Sequence, residues 1–256
     1  MTESWKTKYP DFNVDFFKLK IHSSWKPFFK KPEVIEQIEK LNKVFSNVLK
    51  KTDGNISIFP FPDNVFNAFL YTPFNKIKVV YIGQDPYFNS HEINNTKVPE
   101  ATGLSFSVPK NIPIPSSLQN IYKNALKFNH FIKYPNHGNL EFWAYQGVFM
   151  LNTALTVQEG CKLSHAEVWK KFTDLVIKYI SENSSGIVFV LWGSYALSKK
   201  ELIDEKHKFV ISSHPSGLSC NKKLGIYPEF NNLDQFGEIN KNLKKLKKNE
   251  IIWNIC

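Results

Sequence analysis

Arginine does not occur in this chain: every one of its 33 basic residues is lysine, set against 23 acidic residues in 256, for a formal net charge of +10. The charge excess points to an acidic partner, nucleic acid first and an anionic membrane surface second. Lysine meets phosphate as a point charge and lacks the planar fork that reads guanine, so backbone binding is expected in place of base-sequence readout. The bias towards Lys, Asn, Ile and Phe also fits an AT-rich genome. Cysteine is scarce: Cys161, Cys220 and Cys256 are odd in number and form no C-x-x-C pair. That excludes a disulfide framework and the usual zinc and iron-sulfur spacings, and a reducing compartment is the simplest setting. No apolar run reaches the length of a membrane span, and Met1 to Lys20 is acidic and aromatic where a signal peptide has an apolar centre. An intracellular protein away from membranes is expected. Internal repeats and domain linkers are also missing, and nothing calls for a metal or cofactor.

What is present is a 42% hydrophobic, 15% aromatic chain, enough for one α/β domain over residues 1–256 with a helical N-terminal part at 1–60. Trp25 to Lys51 reads as one amphipathic helix, with Ile35, Ile38, Leu41, Phe45, Val48 and Leu49 at helical spacing. Asp63 is placed to cap a short helix through Leu70, and Ser164 to cap one running to Asn183. A helix after Ser116 and Ser117 ends near His130, and Lys241 to Lys248 forms a charged helix face. Lys76 to Ile82, Gly147 to Asn152, Ile187 to Trp192 and Phe209 to Ser213 are short apolar runs, each ended by polar or turn residues, and read as buried strands. Strands alternating with helices predict a four-stranded, mostly parallel twisted sheet flanked by helices. Residues 88–102, polar and poor in apolar anchors, read as a mobile insertion loop.

In such a sheet the loops at the carboxyl ends of the strands carry the chemistry. Asp85, Asn152, Ser194 and His214 would therefore share one edge. Pro86 fixes its own φ and keeps Asp85 out of the helical region, so acid, amide and phenol in Gln84-Asp85-Pro86-Tyr87 sit on a stiff turn. Taken singly, Asp85 could cap a turn, Asn152 end a strand, Phe106 fill core, and His214 belong to an ordinary turn.

Taken in order, four segments resemble the family 1 uracil-DNA glycosylases: Gly-Gln-Asp-Pro-Tyr at 83–87, Gly-Leu-Ser-Phe-Ser-Val at 103–108, Leu-Asn-Thr-Ala-Leu-Thr-Val at 151–157 and His-Pro-Ser-Gly-Leu-Ser at 214–219. Pro135-Asn136-His137-Gly138, Leu191-Trp192-Gly193-Ser194 and the closing Ile252-Trp253 are similar to further family landmarks. The resemblance implies a monofunctional enzyme without cofactor that releases uracil from single- or double-stranded DNA, a monomeric state, and a proteinaceous glycosylase inhibitor as a further partner. It implies that Asp85 orients water and stabilises the cationic sugar while His214 donates to the departing base. It implies that Asn152 pairs with uracil, Tyr87 excludes the thymine methyl, Phe106 stacks on the base, and the backbone at Gln84 contacts O2. Leu218 would fill the vacated stack, Ser117, Ser194 and Ser216 would grip phosphates, and Lys222 and Lys223 would add charge.

The chain departs from the family pattern at Phe88, where a histidine is usual, and at Gly217, where the wedge loop has proline. His91 could fold back to replace the lost imidazole. A looser wedge loop should raise the entropy cost of insertion. The alternative reading is a DNA-binding module on the same fold that recognises uracil or supports a polymerase without efficient cleavage.

Overall fold

A computed structural model describes residues 4–255, so Cys256 and the first three residues lie outside the described region. In chain order the strands among the described residues are β1 (Ile58–Phe59), β2 (Val79–Gly83), β3 (Ser90–Ile93), β4 (Thr96–Pro99), β5 (Val148–Asn152), β6 (Val157–Gln158), β7 (Val188–Trp192) and β8 (Lys208–Ser212). The main sheet has the order β5-β2-β7-β8, and every pairing in it is parallel. The runs VVYIG, VFMLN and VFVLW are buried from end to end, as strands covered on both faces must be. Alternation along the strands sends Phe149 to one face, where it meets Trp25 and Phe69, and Tyr81 to the other, where it meets Trp192. One hydrophobic cluster runs through the sheet from Trp5 to Trp253.

The four strands stand where the apolar runs predict, with shifted ends. β2 begins at Val79, because Phe74–Lys76 is a 3-10 turn closed by Lys76 N–H on the Pro73 carbonyl. The stretch from Trp25 is not one helix. Lys26–Phe29 is a separate turn, Lys31 is extended as a residue before proline tends to be, and the long helix starts with Pro32 at N1 and runs to Lys51. Its buried stripe is Val34, Ile38, Leu41, Phe45 and Leu49, with Ile35 and Val48 at the margins. Asp63 caps nothing; it lies inside the 3-10 turn Pro62–Asn64 and pairs with Lys8. Ser164 likewise is not a cap. Its hydroxyl accepts the Gln158 N–H at 2.8 Å, and His165 holds the cap position of the helix Ala166–Asn183. The helix Ser116–Lys127 stops short of His130, and the C-terminal one spans Gln235–Lys245.

Residues 88–102 contain an antiparallel hairpin where the sequence predicts a loop without regular structure. β3 and β4 are joined at Asn94-Asn95, both with positive φ (50° and 58°), the requirement of a type I′ turn that Asn tolerates. The sequence offers few apolar anchors because the anchoring is polar: Glu159 accepts from Lys97 Nζ at 2.7 Å and from the Ser90 hydroxyl at 2.6 Å, and Gly160 N–H donates to the Phe88 carbonyl at 2.9 Å. Phe88 packs against a small cluster of Phe59, Ala101 and Val157. Glu159→Ala removes both acceptors, so the hairpin should become the first cleavage site in limited proteolysis while global stability, read by urea denaturation, falls by less than about 1 kcal/mol because the ion pair is partly exposed.

Candidate active site

The site is assembled where β2 and β5 end side by side. Their register sets Gly83 opposite Asn152, and a Cβ on Gly83 would lie 2.1 Å from Asn152 Oδ1. Only glycine leaves room for the amide. Beyond the strand ends the ladder continues: Thr153 N–H donates to the Gly83 carbonyl at 3.0 Å and Ala154 N–H to the Gln84 carbonyl at 2.9 Å. The Thr153 hydroxyl also donates to Gln84 O at 2.9 Å. The turn that carries Asp85 is thus bonded directly to the strand that carries Asn152.

Asp85 is half-buried, and its Oδ2 accepts the Leu163 N–H at 2.9 Å. Burial raises its pKa above the ordinary carboxylate value, opposed by that amide and by the nearby Lys162 ammonium. Leu163 has φ 63°, and this left-handed turn presents its amide to the acid.

His214 follows β8. Its Nδ1 accepts the Ser216 N–H at 3.1 Å, so in the neutral ring the proton sits on Nε2. Burial, and then Lys162, push the imidazolium pKa down to about 4. At neutral pH the residue is an uncharged Nε2–H donor. Gly193, at φ +91°, ends β7 beside it, and a Cβ there would lie 3.0 Å from the His214 Cβ.

Phe106 holds φ 64°, a conformation that costs an aromatic residue roughly 1–3 kcal/mol and persists only where the surroundings impose it. Its ring packs edge-on to Trp192 at 5.6 Å and tilted to His214 at 6.1 Å. The Tyr87 hydroxyl is buried without a protein partner, and burial together with Glu100 holds the phenol neutral.

These groups line one cavity of about 600 Å³: Gln84, Asp85, Tyr87, Phe106, Asn152 and His214 inside it, and Ser117, Ser194, Ser216 and Leu218 along its rim. Ser117 and Ser194 lie in the first turns of their helices, while Pro115 and Gly193 hold the cap positions, so neither hydroxyl is occupied as a cap. The turn at 214–220 is braced at its base by Asn120 Nδ2 on the Pro215 carbonyl, and Leu218 at its tip is 84% exposed. Gly217 has nothing within 4 Å of a built Cβ. Lys222 and Lys223 are exposed beyond the turn and do not line the cavity. His91 does not fold back; its Nε2 pairs with Glu100 at 3.0 Å in the hairpin, and Phe88 lines the cavity instead. Sequence reasoning missed Lys162 and the Leu163 amide, which come from an exposed turn with no pattern of its own.

The model of the uracil DNA glycosylase superfamily matches residues 69–244, which spans every strand of the main sheet and every residue named in the cavity. The chain belongs to this superfamily. It is similar to a probable uracil-DNA glycosylase of Acanthamoeba polyphaga mimivirus, with 40% identity over 99% of this chain and 70% of the relative. It is also similar to a uracil-DNA glycosylase of Francisella tularensis subsp. novicida, with 44% identity over 85% of this chain and 95% of the relative. The crystal structure of mimivirus uracil-DNA glycosylase superposes with a TM-score of 0.92, covering 100% of this chain and 95% of the other at 40% identity.

For this glycosylase-family site the tautomer is the testable geometry. Nitrogen NMR of the His214 ring should report the Nε2–H form throughout neutral pH, with protonation only near pH 4.

Proposed function

We propose that this protein is a uracil-DNA glycosylase: it takes an extruded deoxyuridine into the cavity and hydrolyses the N-glycosidic bond, leaving free uracil and an abasic site. The observation that carries the reading is the convergence of the Asp85 carboxyl group, the Asn152 amide and an uncharged Nε2–H donor on His214 around one cavity. Water adds at C1′ as the bond to N1 breaks, the bonding pair leaves on the uracil ring, and the proton shed by the water passes through Asp85 to solvent, from which the uracil anion is protonated. The Asp85 carboxylate orients the water and offsets the positive charge that grows on the sugar. His214 Nε2–H donates to O2, where the uracil anion places much of its charge. A second carboxylic acid is unnecessary, unlike ordinary glycoside hydrolysis, where two flank the bond.

Asn152 selects by polarity: its amide meets the O4 and N3–H of uracil, a pattern that cytosine presents in reverse and would leave unpaired. Tyr87 selects by volume against the thymine methyl, and Phe106, held at its strained φ, stacks on the base. Extrusion from a duplex costs roughly a few kcal/mol, and the exposed Leu218 is the side chain placed to occupy the gap. Ser117, Ser194 and Ser216 supply phosphate contacts along the rim, and Lys222 and Lys223, outside it, add charge to the flanking strand. The protein acts as a monomer inside the cell. A mimivirus uracil-DNA glycosylase variant has been solved in complex with UGI, and an inhibitor of that kind is a candidate partner.

Uracil release from a single-stranded oligonucleotide tests the reading. Asp85→Asn and His214→Ala should each lower kcat by roughly 100- to 10,000-fold with little change in substrate binding. Tight binding with no release by the unaltered protein would select the non-catalytic module instead. Base choice is a separate test: Asn152→Asp should begin to release cytosine and Tyr87→Ala thymine, and unchanged selectivity in both would remove the pocket assignments.

A further inference from the structure

The cavity carries one permanent cation. Lys162 lines it together with Asp85 and His214, and the rim serines Ser117, Ser194 and Ser216 are neutral. Lys162 forms no ion pair with another described residue, whereas Lys97 is tied to Glu159, and Lys199 and Lys170 to Asp174. Its backbone position is set. The turn after β6 is closed by Cys161 N–H on the Gln158 carbonyl at 3.0 Å, and the next residue, Leu163, holds Asp85 through its amide. An exposed side chain is therefore rooted one residue from a fixed contact with the acid. Its charge reaches both reacting groups, since it is among the influences that lower the pKa of Asp85 and of His214.

Building on the glycosylase reading above, we propose that the Lys162 ammonium binds a phosphodiester flanking the extruded nucleotide. The physical need is plain. The nucleotide enters with a negative phosphate on either side, and both approach a cavity whose only other full charge is the Asp85 carboxylate. Neutral serines can donate hydrogen bonds to those phosphates but cannot offset the like-charge repulsion. A free ammonium beside the acid does so, and with no arginine in the chain a lysine point charge is the available cation.

Three measurements decide the matter. The first is binding of a single-stranded oligonucleotide carrying uncleavable 2′-fluorodeoxyuridine, measured against salt concentration. Lys162→Ala and Lys162→Gln should weaken it by about five- to tenfold and lower the log–log salt slope by about 0.7, while Lys162→Arg retains both. The second replaces the two flanking phosphates with neutral methylphosphonates, after which the unaltered protein and Lys162→Ala should bind equally. The third is the acid limb of kcat/KM. Other titratable groups facing the cavity are the Tyr87 and Tyr195 phenols, with Glu100 behind Tyr87, all unchanged by the substitution. Removing the cation raises the pKa of Asp85 and of His214 alike, so the limb should move to higher pH in Lys162→Ala. An unchanged salt slope, or a Lys162→Ala penalty that persists undiminished on the methylphosphonate strand, would overturn the proposal. If the unaltered protein bound the oligonucleotide but released no uracil, the glycosylase reading would fail while the two binding measurements still judged Lys162.

Discussion

Register between two parallel strands is the constraint on which the cavity depends. A slip of one residue between β2 and β5 would turn every side chain to the opposite face and separate the Asp85 turn from Asn152. The pairing is held by strands buried along their whole length and by bonds that run past the strand ends, from Thr153 and Ala154 to Gly83 and Gln84. The same device appears on the other side of the sheet, where Gly193 N–H donates to the Ser212 carbonyl at 2.9 Å. At each place a glycine ends one strand where its neighbour delivers a functional side chain: Gly83 against Asn152, Gly193 against His214. The missing Cβ atoms are space that the site occupies.

That scaffold fixes charge as well as position. Burial disfavours the charged forms of both reacting groups, but with opposite consequences. For His214 the neutral form wins throughout the neutral range, and the Ser216 amide then decides which nitrogen bears the proton. For Asp85 the upward push of burial is opposed by the Leu163 amide and by Lys162. On the proposed reading, an acid and a neutral donor held by the same cavity suit a reaction that creates a cation on the sugar and an anion on the base.

The sheet and the positions of Asp85, Asn152 and His214 at its edge were legible in the sequence because apolar runs that stop abruptly are a local signal. Helix starts were less so. Asp63 and Ser164 have the chemistry of caps, yet each is used elsewhere, by Lys8 and by the Gln158 amide. Lys8 lies 55 residues from Asp63 and Gln158 belongs to a two-residue strand, and propensity sees neither partner. The hairpin at 90–99 was misread because its anchor, Glu159, lies about sixty residues further along the chain. Lys162 and Leu163 escaped for the same reason: their importance comes from meeting Asp85 across 78 positions of sequence.

The hairpin and Phe88 are tied to the acid through one turn. Phe88 lines the cavity with the acid, packs with Phe59, Ala101 and Val157, and its carbonyl accepts the Gly160 N–H. Glu159 is gripped in turn by Lys97 and Ser90 of the hairpin, and the segment it begins ends at the Leu163 amide on Asp85. The acid is therefore oriented from behind by backbone that the hairpin holds. A backbone amide bonded to one carboxylate oxygen ties the acid to the same turn that the hairpin holds, so the hairpin and the acid share one chain of contacts across the cavity wall.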